Sequence, residues 1–187
     1  MIIKRTKKER SHQPGDKKME HRIYLTDLHA YNNGALIGDW VEITEFDRNK
    51  HNFNEICRRC GIKDGHEFFI TDYESPFDID EYIDPETLYR LSDLLKDPIL
   101  DDDEISAVCD STGDLEEQIQ HLEKRDFTFF KDDRPSAKNL GMIVMENLGE
   151  LDSNDWKSQY FDYEAFGEAL LADDWEQLKR GYIRFDN

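Results

Sequence analysis

Cys57-Arg58-Arg59-Cys60 has the spacing of a redox or zinc-binding cysteine pair, with His51 and His66 nearby and Cys109 far along the chain. A structural zinc site takes four ligands in a tetrahedron, and no second ligand pair stands at a matching spacing. A redox pair normally follows a strand and opens a helix, whereas Gly61 ends the helix expected here. The cysteines are therefore read as structural or incidental. Two acid runs, Asp78-Ile79-Asp80-Glu81 and Asp101-Asp102-Asp103-Glu104, offer oxygen ligands for Ca²⁺ or Mg²⁺. A calcium loop of the EF-hand type needs alternating ligands, a glycine at its sixth position and a glutamate at its twelfth. Neither run has them. A metal-dependent nuclease sets carboxylates beside a lysine, and this region is almost free of lysine. No nucleophile elbow, phosphate-cradling glycine loop or zincin motif occurs, and lone histidines such as His29 and His121 read as packing or surface residues. No catalytic residue, metal or cofactor is expected.

The acids themselves remain. From Asp72 to Glu104 there are 13 Asp/Glu against 2 Lys/Arg. Residues 1–22 carry 8 Lys/Arg and 3 Asp/Glu, so residues 23–187, with 40 acids and 16 bases, hold a net −24 inside a chain of −19. Like charges repel across a compact fold, and solubility asks for a net charge of only about 2–8 in a small domain. Duplex DNA shows roughly one negative charge per 1.7 Å of axis. A helix with two exposed acids per turn shows about one per 2.7 Å, close enough for a DNA-binding groove to accept either. The candidate partner-binding acids are Asp72, Glu74, Asp78, Asp80, Glu81, Asp84, Glu86, Asp93, Asp97, Asp101, Asp102, Asp103, Glu104, Asp114, Glu116 and Glu117.

Those acids need elements to hold them. Residues 1–22, polar and basic with Pro14-Gly15, lack apolar surface to bury and read as a disordered arm; Met19 is a possible second start. Ile23–Leu28, Gly38–Ile43 and Glu67–Tyr73 read as strands, with turn chemistry at Asn32-Asn33-Gly34. Asp47 caps a helix running to about Cys60. These make a small α+β domain, 23–73. Pro85 opens a helix with Leu88, Leu91 and Leu95 on one side, and Glu86, Asp93 and Asp97 opposite. A second helix follows Asp101–Glu104. Ser111-Thr112-Gly113-Asp114 resembles a capping box for a third, with Leu115, Ile119 and Leu122 at core spacing. Residues 74–124 are thus an acidic helical domain. In a second α+β domain, 125–187, Phe127–Phe130 is a strand and Ser136 caps a helix that Gly149 stops. Tyr160–Leu171 reads as another helix, capped by Asp162, and Gly181–Phe185 closes the domain.

Apolar residues make up 37%, below a typical share, and 11 Phe, 8 Tyr and 3 Trp compensate. Several small aromatic cores in an elongated chain fit this better than one deep core. No segment is apolar enough for a membrane span, and the basic N-terminus lacks the apolar run of a secretory signal. A cytoplasmic location is expected.

Ile23-Tyr24-Leu25-Thr26-Asp27-Leu28-His29-Ala30-Tyr31-Asn32-Asn33-Gly34 resembles the opening of the ArdA-type antirestriction proteins. Phe69-Ile70-Thr71-Asp72-Tyr73-Glu74 resembles their next recurrent segment, and Tyr160–Gly167 (YFDYEAFG) resembles one near their C-terminus, in the expected order. The resemblance implies three small α+β, helical and α+β domains in a curved homodimer whose acids mimic bent duplex DNA. It also implies a gene carried on a mobile genetic element, and a partner: the DNA groove of a type I restriction–modification enzyme, with no direct nucleic-acid binding by this chain. Tyr160, Phe161, Tyr163 and Phe166 are then candidate dimer-interface residues, or simply the core of their own domain. Two alternatives stand beside this. One is an acidic mimic directed at a nucleoid-associated or repressor protein. The other is a divalent-metal-dependent enzyme.

Overall fold

Alternate burial builds the first sheet. Strand β1 (Arg22–Asp27) buries Ile23 and Leu25 completely, and Val41 of β2 (Gly38–Glu42) stands opposite Ile23. With β3 (Phe68–Glu74) they form an antiparallel sheet in the order β2-β1-β3, β1 central. A register shift between Tyr24 and Leu25 marks the β1–β3 pairing. This computed structural model describes residues 19–149 and 156–186. They fall into two compact units, split between Arg125 and Asp126. Residues 19–125, which include the first sheet and the acidic helices, fall in one unit.

Within that unit, Asp27 caps a short helix, α1 (Leu28–Asn32), before the Asn33-Gly34 turn, where Gly34 takes a φ of 82°. A 3₁₀ turn, Ile43–Glu45, leads out of β2. Helix α2 (Phe53–Arg59) begins after Asn52, not at Asp47. The Asp47 carboxylate is already used, accepting the Asn49 N–H at 3.0 Å and pairing with Lys50, so it closes a turn instead of opening the helix. Helix α3 (Pro85–Leu95) starts as expected: the Asp84 carboxylate accepts the N–H groups of Glu86 and Thr87 at 2.9 and 3.0 Å, and proline occupies the first turn. Its third buried leucine is Leu94, whereas Leu95 is half-buried. The helix packs against the 3₁₀ turn on one side and α5 on the other, so its buried stripe widens to include Tyr89 and Leu94.

Helix α4 (Asp102–Ser111) carries a reciprocal box between Asp101 and Glu104. Helix α5 (Leu115–Lys124) is capped by Asp114 alone, through the Glu117 N–H at 3.0 Å. Ser111 cannot belong to that cap because it is still the last residue of α4. Of the arm, residues 1–18 lie outside the described residues, but its last residues are structured. His21 is buried and Arg22 opens β1, where it pairs with Glu42 and Glu74, so the first strand begins before Ile23.

The second unit pairs β4 (Phe127–Lys131), β5 (Glu176–Leu178) and β6 (Gly181–Phe185) in the order β4-β6-β5. Helix α6 (Ala137–Leu148) runs from the Ser136 cap to Gly149 in the left-handed region. Helix α7 (Tyr163–Asp173) starts at the Asp162 cap, and Trp156–Tyr160 forms a separate 3₁₀ turn. Tyr160 therefore lies outside α7, because the cap is formed two residues after it. The two helices cross backbone to backbone. A Cβ added at Gly141 would stand 2.1 Å from the Tyr163 carbonyl oxygen, and one at Gly167 1.7 Å from that of Ala137. Their core is Leu140, Val144, Trp175 and Tyr182. The buried Tyr182 hydroxyl accepts the Ser136 N–H at 2.6 Å and lies 3.1 Å from Asp132 Oδ2, and its burial raises the phenol to about 12.

Candidate functional site

The strand β3 and the loop after it hold the densest unopposed charge. Residues 72–84 contain six acids and no Lys or Arg. Beyond β3 the loop alternates: Phe77, Ile79 and Ile83 are buried, while Asp78, Asp80 and Asp84 are exposed. Two hydrogen bonds fix its path, from the Ile70 N–H to the Glu81 carbonyl (2.9 Å) and from the Asp78 N–H to the side-chain Oε1 of buried Gln118 (3.3 Å). Burying the apolar members forces the carboxylates outward, as in any two-faced extended segment.

The sixteen candidate acids separate into three environments. Asp72, Asp78, Asp80, Glu81, Asp84, Asp114 and Glu117 are exposed and have no ion pair with a described residue. Asp84 is held below the ordinary carboxylate range, first by the Thr87 hydroxyl, so it is ionised at neutral pH. A second group is neutralised from within. Arg48 bridges Glu86 and Asp93, Arg125 pairs with Asp97, and Arg22 holds Glu74 at 2.7 Å. Arg90 reaches Glu116 at 2.7 Å and grips Glu123 with two bonds of 2.9 Å. The Arg90 bond is the largest influence lowering Glu116, while for Asp97 the Ile99 N–H comes first and Arg125 adds to it. The third group, Asp101, Asp102, Asp103 and Glu104, is half-buried at the start of α4, where it serves the helix cap and, through Asp102, accepts the Met19 N–H at 3.2 Å. The helix face read as a row of free acids is thus partly cross-linked by arginines 26–45 residues distant in the chain.

Asp27 was not singled out by the sequence. It is the one buried acid among the described residues. Burial would raise its pKa, but the N–H groups of Ala30 and Lys63 and His66 Nδ1 at 2.7 Å outweigh that and hold it low. Its position before Leu28 was a capping signal. Nothing local pointed to His66.

All three cysteines are free. Burial raises Cys57 and Cys109 to about 12 and moves Cys60 the same way, so each is a protonated thiol, poorly suited to attack or to bind metal. Among the described residues, no three His, Cys, Asp or Glu side chains are grouped to hold a metal ion. No described helix is long and apolar enough to cross a membrane.

Of the four aromatic residues considered for an interface, Tyr160 is 77% exposed and lies edge-on to Trp156, itself 68% exposed. Phe161, Tyr163 and Phe166 are half-buried against one another, with centroids 5.0 and 5.6 Å apart, and Phe166 also packs on the core.

A family model described as antirestriction protein (ArdA) matches residues 23–184. The chain belongs to the ArdA antirestriction family. The match begins at the first buried residue of β1 and ends within β6, so it covers both units and excludes the basic arm. Antirestriction function goes with membership of the ArdA family. No curated protein matches the chain.

Proposed function

We propose that this ArdA-family chain blocks restriction–modification as a DNA mimic, occupying the DNA-binding groove of a type I enzyme. Its exposed carboxylates take the place of phosphates against the groove's Lys and Arg, without catalysis and without a cofactor. The observation that carries the reading is the row Asp72, Asp78, Asp80, Glu81 and Asp84: exposed, ionisable and unopposed by any cation of the described chain. Carboxylates left in water until they meet a guanidinium form charge-assisted bonds with little rearrangement. A surface of one sign also steers a basic partner and makes association fast and salt-dependent.

A homodimer formed through the second unit, with Tyr160 and its aromatic neighbours at the contact, doubles the charge offered. A cytoplasmic location belongs to the same reading. The test is competition. Labelled recognition-site DNA bound to a type I methyltransferase should be released by an excess of the protein, less readily as salt rises. DNA that stays bound at low salt under a large excess would falsify the mimicry.

A further inference from the structure

One large side chain interrupts the acidic row. Tyr82 stands between Asp80-Glu81 and Asp84, and is 65% exposed. It is not loose. Its ring stacks on buried Phe69, with centroids 6.3 Å apart and planes 23° apart, and Phe69 meets the half-exposed Tyr31 edge-on at 5.0 Å. A ring already braced by a buried neighbour loses little freedom on binding, and aromatic residues of this kind are over-represented among residues that dominate interfaces. Phosphate mimicry alone gives no reason for an aromatic side chain here.

Elsewhere the same chain shows what a ring beside carboxylates does. The Arg22 guanidinium lies 4.7 Å over Trp40 while its Nε donates to Glu74 at 2.7 Å. That of Arg184 lies 5.2 Å over Trp175, with Asp186 at 3.2 Å and Asp174 at 3.7 Å. Ring and carboxylate hold one guanidinium jointly, the ring through its negative face and the acid through charged hydrogen bonds. Tyr82 has the acids and the ring, and no described cation of this chain lies over it.

Resting on the mimicry proposed above, we infer that Tyr82 is the aromatic anchor of the acidic surface. It receives an arginine of the partner's groove on its ring while Asp80, Glu81 or Asp84 takes the guanidinium N–H groups. Tyr31, reached through Phe69, extends the same platform.

The experiment is the DNA-displacement assay with a type I methyltransferase, run across a salt series. It compares the wild-type chain with Tyr82→Ala, Tyr82→Leu, Tyr82→Phe and Tyr31→Ala. Tyr82→Ala and Tyr82→Leu should each need roughly 10-fold more protein for half-displacement at every salt concentration. Their dependence on salt should stay parallel to wild type, because no charge is lost. Tyr82→Phe should stay within about 2-fold, since it keeps the ring. Tyr31→Ala should fall between. Unchanged melting curves establish that the exposed substitutions leave the fold alone. If wild type displaces DNA and Tyr82→Ala does so equally well, the anchor is refuted and the mimicry stands. If Tyr82→Leu matches Tyr82→Phe, the ring is not binding a cation and the inference fails. If wild type itself displaces nothing, both readings fall together.

Discussion

Two stretches of the first unit have almost the same acidic composition and opposite electrostatic situations. Residues 72–84 hang six carboxylates from a strand and an extended loop without a single Lys or Arg between them, and of the six it is Glu74, on the strand, that pairs with a cation, Arg22. Helices α3 and α5 carry five acids, with Asp97 just beyond α3, but Arg48, Arg90 and Arg125 are set among Glu86, Asp93, Asp97, Glu116 and Glu123. In the helices, charge has been turned into cross-links between elements. In the loop it is left facing water. Net charge therefore overstates what a partner can reach, and the loop, not the helix row, is where the carboxylates are most available.

The largest effect should come from the loop. Replacing Asp72, Asp78, Asp80 and Glu81 together by their amides should raise the concentration for half-displacement of DNA by about 100-fold at low salt, while the melting temperature holds or rises. None of these four caps a helix, and relief of mutual repulsion favours the fold. An equal loss from amides at Glu86, Asp93, Asp97 and Glu116 would abolish the distinction between the stretches.

The buried carboxylate marks the opposite extreme. Asp27→Ala should cost about 2–3 kcal/mol of folding stability, by removing the α1 cap and leaving His66 and the Lys63 N–H without their acceptor. Its folded pKa is depressed below the ordinary aspartate value. Its contribution is therefore fully present above that value and is lost as pH falls through the lower folded pKa. Denaturant titrations between pH 6 and pH 2 should show wild type losing stability below about pH 4. Asp27→Ala should show a shallower fall, because Asp84, Asp97, Glu116 and Asp132, also lowered, still contribute. A parallel pair of curves would contradict the assigned role.

The smallest effect belongs to the cross-links. Arg90→Gln should cost about 1 kcal/mol, since its partners are half-exposed and such pairs are worth little singly. It also frees Glu116 and Glu123, so DNA displacement should improve slightly. A weaker competitor with unchanged stability would mean that Arg90 itself meets the partner.

Local signals were legible where a cap and its target lie within one turn. Pro85, Ser136 and Gly149 each marked a helix boundary that the structure keeps. Misplacements arose when a nearer use competed for the same side chain, as at Asp47, or when packing on two sides widened a helix stripe, as at Leu94. Strand β5, only Glu-Gln-Leu, has no apolar alternation to find, and its pairing with β6 alone defines it. The sorting of the acids was invisible for a different reason. Arg48 is 45 residues from Asp93 and Arg90 is 33 from Glu123, so nothing in the local pattern tells a free carboxylate from a cross-linked one. Family membership was legible in three ordered segments, because each couples strand or helix pattern to specific aromatic and acidic positions.

Carboxyl footprinting tests the central claim most directly. The chain, free and bound to a type I methyltransferase, is labelled at its accessible carboxylates with a carbodiimide and an amine, and each site is read by mass spectrometry. The account predicts that Asp72, Asp78, Asp80 and Glu81 react readily in the free protein and are protected in the complex, while Glu86 and Asp93 change little. Equal labelling of residues 72–84 in the free and bound states would contradict it.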